Sequence, residues 1–262
     1  MEHVSETLEA LSDSATAKAA SKHTSSLRGL RGVPTGEIAR VADAVWREER
    51  PTLAEHGDEL DALFGAAWED GLVAVGLLAT CWSEQPVDGF DLALSWAERL
   101  DDAVTADALG WLILGPAAAV LNESATLRER LLNHRREAVR RCGLMAAMAW
   151  TPASLEGPSA APLRAKLKQR KLRMVDDARS DLLHPHLRAY VRDESPIVRK
   201  AMRRILRAWA NSDPDAVVRW GDDVAGGIPK LLRPEVKRAQ RQAKGGGAKR
   251  STNDLDDLLD LP

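Results

Sequence analysis

The spacing of apolar residues constrains this chain most. They recur at intervals of three and four, the period of a helix, and nowhere convincingly at intervals of two. Ile38, Val41, Ala42 and Val45 share one face, and Leu60, Leu63, Phe64 and Ala67 another. Val73, Leu77 and Leu78 lead into Cys81 and Trp82, and Leu92, Leu94, Ala97 and Leu100 follow. Leu109, Leu112 and Ile113, then Val139, Leu144 and Ala147, then Ile197, Ala201, Ile205, Leu206 and Trp209 continue the pattern. The chain holds only 2 Phe and 1 Tyr, and Val alone among strand-favouring residues is plentiful. These features predict an all-α fold of about ten to twelve helices of roughly 10–18 residues each. Helix pairs at a spacing of roughly 35–45 residues suit HEAT-like helical repeats forming a curved α-solenoid, an alpha-alpha superhelix; a compact bundle is the alternative.

Turn-forming residues fall between the apolar stretches. Thr35 after Pro34 suits a helix cap. Glu84 to Gly89 reads as a turn, and Gly115-Pro116 as a break or kink. Residues 151–162 read as a Pro/Ser/Gly-rich loop. Pro196 suits the first turn of one helix, and Asn211-Ser212-Asp213-Pro214 the start of the next. Residues 1–24 read as an N-terminal helix or extension, amphipathic through Val4, Leu8 and Leu11. Residues 25–243 read as the repeat domain, and 244–262 as a Gly-rich linker with an acidic tail. That tail suits a docking helix, a shield over a basic groove or a solubilising segment.

With 262 residues and 44% hydrophobic content, the chain can bury a substantial core. Two cysteines, Cys81 and Cys142, exclude a disulfide scaffold and fit a reducing compartment. The apolar runs are shorter than a membrane span, and the acidic start does not read as a secretory signal. No metal is expected. His184-Pro185-His186 is the only close histidine pair and reads as a loop near the surface. No phosphate-binding glycine loop or nucleophile elbow is present, so no cofactor is implied.

The net charge of −2 conceals an asymmetry. Residues 1–125 hold 8 Lys/Arg against 22 Asp/Glu, and residues 126–262 hold 29 against 17. The basic half carries four clusters. Arg128, Arg130, Arg135, Arg136, Arg140 and Arg141 form one, and Lys166, Lys168, Arg170, Lys171 and Arg173 a second. Arg199, Lys200, Arg203, Arg204 and Arg207 share one helix, and Lys237, Arg238, Arg241 and Lys244 the last. Stacked cations repel, so an anion must compensate them, and a phosphate backbone is the expected one. The alternatives are a solvated surface or attraction between the two halves. Asp107 and Trp111 stand four residues apart and so share a helix face. A carboxylate beside an indole can serve a cationic substrate; a first-turn acid and a core Trp are the structural alternative.

Four stretches resemble the DNA alkylation repair (AlkD-type) glycosylase family, over roughly residues 25–242. They are Leu30-Arg31-Gly32-Val33-Pro34-Thr35, then Asp101 to Leu109, then Ala138-Val139-Arg140-Arg141-Cys142-Gly143, and finally Pro196 to Arg207 with the turn at Asn211–Pro214. The resemblance implies HEAT-like repeats and excision of cationic N3- or N7-alkylated purines from double-stranded DNA without obligatory base flipping. It aligns Asp107 with the acid that stabilises the sugar cation and positions water, and Arg141 with a phosphate-contacting arginine. Arg140, Arg199, Lys200, Arg203 and Arg207 are expected to hold DNA, and Trp111 and Arg204 to meet the substrate.

The chain departs from the family pattern at both aromatic walls. The family's Trp before the acid is Ala103 here, its acidic neighbour is Val104, and its second Trp is Arg204. The expected function is therefore a glycosylase of altered lesion range; a non-catalytic relative that binds distorted or branched DNA, and a protein-docking scaffold, are the alternatives. No membrane partner is implied, a monomer is the default, and a cytoplasmic, nucleoid-associated location is expected.

Overall fold

A computed structural model describes residues 3–21, 28–151, 180–224 and 226–244. Among the described residues every regular element is helical, so the fold is all-α, as the apolar spacing predicts. The α-helices run from 7 to 17 residues, and several are shorter than expected.

Two helices open the chain, α1 (His3–Ala10) and α2 (Ser14–Ala20), where one was expected. Asp13 ends the first run and caps the second, its carboxylate accepting from Thr16 N at 2.7 Å. Val4 and Leu8 are buried in the common core, whereas Leu11 is exposed. Helices α3 (Thr35–Glu49), α4 (Leu53–Gly65) and α5 (Trp68–Cys81) follow. Thr35 is the first helical residue of α3 and not its cap, which is Pro34. α5 is apolar almost all round, because α1, α3 and α4 all pack on it. Its two buried acids have partners: Glu69 accepts from the backbone N–H of Gly32 at 2.7 Å, and Asp70 pairs with Arg31.

Helix α6 (Pro86–Ala97) begins inside the stretch expected to be a turn, with Pro86 in its first turn and Gly89 within the helix. Next come α7 (Ala103–Leu109), a π-helical turn (Gly110–Leu114) and α8 (Gly115–Leu121), which form one continuous rod. The expected break at Gly115-Pro116 is absent. Pro116 has no N–H, and its ring crowds the carbonyl four residues back. The preceding turn is wider, with Gly115 N–H bonded to Gly110 O five residues back, and the helix absorbs the proline there. This rod is the one described helix long and apolar enough to cross a membrane. Its apolarity is accounted for by packing against α6, α10 and the segment after α10.

Two glycines let the rod approach that neighbour. A Cβ on Gly110 would lie 2.4 Å from the Cys142 carbonyl oxygen, and one on Gly115 2.3 Å from that of Ala146. Trp150 closes the contact by donating its indole N–H to Gly115 O at 2.8 Å.

Helices α9 (Ser124–Leu131) and α10 (Glu137–Met145) and a 3₁₀ turn (Ala146–Trp150) complete this part. The stretch expected to be a loop lies, beyond Thr151, outside the described residues, as do Lys166, Lys168, Arg170, Lys171, Arg173 and the acidic tail. After it come α11 (Ser180–Tyr190), α12 (Pro196–Ser212), α13 (Pro214–Asp223) and α14 (Arg233–Lys244). Pro196 and Asp213 stand at the helix starts the sequence indicated, and Asp213 accepts from Ala216 N at 2.9 Å.

The histidine pair lies within α11 and not in a surface loop. His184 packs edge-on against Trp209, and His186 is fully buried beside Trp150 and Tyr190. His186 Nε2 bonds to Gly143 O at 2.7 Å. A carbonyl can only accept, so Nε2 carries the proton, and Nδ1 is left buried without a partner. Burial therefore pulls the imidazole down to about 4, partly opposed by the Gly143 hydrogen bond.

Two predictions follow from this packing. Gly110→Ala should lower unfolding free energy by about 1–3 kcal/mol in urea denaturation, since the Cys142 backbone must yield to the methyl group. His186 titrates lower folded than unfolded, so its contribution is present above the ordinary histidine value and is lost as pH falls toward 4. From pH 7 to pH 5 the wild type should lose about 2 kcal/mol more stability than His186→Gln. Equal losses would remove His186 as the cause.

Candidate nucleic-acid interface

Three residues far apart in sequence meet where α7, α10 and α12 converge. Asp107 lies in the last turn of α7, where the continuing helix leaves no terminus for its charge to complement. α10 turns Ala138, Val139 and Cys142 into the core, and Arg141 extends toward Asp107 from the same buried helix. α12 buries Val198, Ala201, Met202, Ile205, Leu206 and Trp209, and its basic residues occupy the remaining surface, including Arg204.

The carboxylate is held on both oxygens. Arg141 donates Nε to Oδ1 and Nη2 to Oδ2, each at 2.6 Å, in a bidentate fork. Arg204 adds Nη1 to Oδ2 at 3.0 Å. Arg141 also donates Nη1 to the Ile197 carbonyl at 2.7 Å, which anchors it to the first turn of α12. The Arg141 side chain is 8% exposed and those of Asp107 and Arg204 are each 17% exposed. Burial lowers the Arg204 guanidinium from its ordinary value; Asp107 opposes that shift and Arg141 adds to it. Arg204 stays charged nonetheless, and its Nε is buried without a partner. One carboxylate against two guanidiniums leaves this cluster with a net positive charge.

Trp111 stands in the π turn that follows α7 and is half-buried against the core, while the hydrogen bonds to the Asp107 carboxylate come from the two arginines.

Arg140, Arg203 and Arg207 also meet internal anions. Arg140 donates Nε to Asp193 Oδ2 at 2.6 Å, and this hydrogen bond raises its guanidinium above the ordinary value while burial opposes it. Arg199 donates to the Asp193 backbone carbonyl at 2.8 Å. Arg203 and Arg207 both grip Glu235 of α14, each with Nε at 2.9 Å. Burial pushes the Glu235 carboxyl up, but the hydrogen bonds from Arg207 and Arg203 outweigh it and hold the group low. Lys200 is exposed. The counter-anions that the basic clusters require are thus supplied in part by Asp107, Asp193 and Glu235 of the chain itself. Sequence reasoning missed the last two in this role, because no spacing rule links an acid to a cation 28 to 53 positions away.

Cys81 and Cys142 are buried and not joined in a disulfide. Burial, then the nearby Asp107 charge, pushes the Cys142 thiol well up, so it is a packing group and not a nucleophile. Among the described residues no three His, Cys, Asp or Glu side chains gather as a metal site.

The family of DNA alkylation repair enzymes matches residues 4–235, which span α1 to the first turn of α14. The chain belongs to that family. No match was found among curated proteins or among solved structures. Membership supports a DNA-repair role and points to DNA as the partner. Of the positions that the resemblance aligned with family site residues, Asp107, Arg141 and Arg204 meet in the structure.

The cluster makes a ranked stability prediction. Asp107→Asn leaves two buried guanidiniums facing each other and should cost about 2–4 kcal/mol, toward the lower end for breaking a buried pair. Arg204→Met leaves the bidentate Asp107–Arg141 pair intact and should cost less. Urea denaturation of both variants tests this order, and the reverse order would show that Arg204 is the principal partner of Asp107.

Proposed function

We propose that this protein serves DNA repair by binding damaged or distorted duplex DNA through the positively charged surface around the Asp107–Arg141–Arg204 cluster, without excising cationic alkylpurines. One observation carries this reading: Asp107 is shared between two guanidiniums. A carboxylate stabilises a sugar cation by its negative charge, and two adjacent positive charges cancel that effect in a poorly solvated site. A cationic base would meet the same repulsion. A phosphate would instead be attracted by the net positive charge of the cluster. Arg140, Arg199, Lys200, Arg203 and Arg207 extend the positive surface along α10 and α12. Trp111 is assigned here to packing.

Glycosylase activity on N3- or N7-alkylated purines is the second reading, favoured by the family match and by the exposed edge of Asp107. In that reading Arg141 orients the carboxylate and Asp107 positions water as the glycosidic bond breaks. HEAT-like repeats belong to both readings, as do a monomer and a nucleoid-associated location.

Incubation with methylated duplex DNA carrying N7-methylguanine and N3-methyladenine separates them. The expected outcome is salt-dependent binding without base release. Release by the wild type that is lost in folded Asp107→Asn would establish the glycosylase instead. Absence of DNA binding at physiological salt would remove both.

A further inference from the structure

The last helix differs from every other basic element described. On α12 the cations Arg203, Arg204 and Arg207 are bound to acids. On α14 the acid and the cations are segregated. Glu235, Val236 and Ala239 face inward, where Glu235 is consumed by Arg203 and Arg207. Arg233, Lys237, Arg241 and Lys244 are exposed and, with Lys230 just before the helix, line an open groove of about 850 Å³. No acid lines that groove, and these five cations make no ion pair among the described residues. From Arg233 to Lys244 the helix rises about 16 Å. That is the length of several phosphates of one strand, each rising about 3.4 Å along the duplex axis.

We propose that the outer face of α14 is a second phosphate-contacting surface, which grips the DNA backbone apart from the Asp107 cluster. This rests on the DNA-binding reading above and adds a contact to it. The family match ends at residue 235, so Lys237, Arg241 and Lys244 stand outside the matched region. Spaced by four and three residues, they share a face. A membrane surface fits less well, because interfacial helices bury an exposed apolar face in lipid. Here the apolar residues Val236 and Ala239 are already packed inside the protein. The cations touch only backbone phosphates, so the contact adds affinity and salt dependence without base preference.

The test is the Lys237→Gln/Arg241→Gln double variant of the full chain, titrated with a labelled duplex at several salt concentrations. Both positions are exposed, and circular dichroism verifies the fold. The double variant should bind several-fold more weakly at fixed salt. Its log K against log [salt] slope should be shallower by about 2, one per lost phosphate contact. Wild-type binding with an unchanged slope in the variant would overturn the α14 assignment and leave the DNA reading standing. A wild type that does not bind DNA would overturn both. If the substitutions abolish binding to phosphatidylserine vesicles but leave DNA binding unchanged, the surface is a membrane contact and the proposal falls.

Discussion

The carboxylate of Asp107, shared by Arg141 and Arg204, is the interaction on which the middle of the molecule depends. It joins α7, α10 and α12, which lie 34 and 97 residues apart along the chain. Burying three charges is costly, and the fork geometry of Arg141 is what makes it tolerable: two short parallel hydrogen bonds offset desolvation in a way a single contact cannot. Arg204 is the surplus charge. It has too little water and half a partner, and the chain keeps it charged beside Arg141. In a helical array whose elements pack mainly on near neighbours, this cluster is a polar constraint that fixes three separate elements at once. It also sets the sign of the local field, which a lone aspartate would have made negative.

The helical elements were largely legible because they depend on local chemistry. Pro196 opens α12 because its ring pre-sets the backbone and its missing N–H is not needed there. Asp213 opens α13 because its carboxylate reaches a free backbone amide. The readings that failed needed tertiary information. Gly115-Pro116 looks like a break, but a π turn and close packing against Ala146 carry the helix through it. His184-Pro185-His186 looks like a loop, but Trp150, Tyr190 and the Gly143 carbonyl hold His186 inside a helix. At the site, alignment to a family pattern located Asp107, Arg141 and Arg204, while helical arithmetic alone favoured Asp107 with Trp111. Nothing in the spacing revealed that Asp193 and Glu235 would neutralise neighbouring arginines, since such pairing is decided by which helices become adjacent.

The basic half of the chain therefore contains two kinds of positive charge. Arginines on α10 and α12 are oriented by fixed acids, so their remaining N–H groups present defined directions at little further entropic cost. Lys237, Arg241 and Lys244 on α14 project from an exposed face without such an acid. The first kind suits recognition of a particular backbone shape. The second suits general attraction that tracks charge. Net charge near neutrality, with the acidic residues concentrated in the first half, hides this division when the chain is considered whole.

The π turn at Gly110–Leu114 has a consequence for how this chain can vary. A π turn holds one residue more than the α-helical turn it replaces. Loss of a single residue there would leave a hydrogen-bonded helix and so be gentle on the backbone. It would nevertheless rotate Asp107 relative to everything downstream by about 100°, the angle of one helical residue. The carboxylate would swing away from Arg141 and Arg204 although none of the three had been altered. In relatives of this chain, the length of the rod between Asp107 and Pro116 would then report on the charge of the site as surely as the identity of the residues that form it.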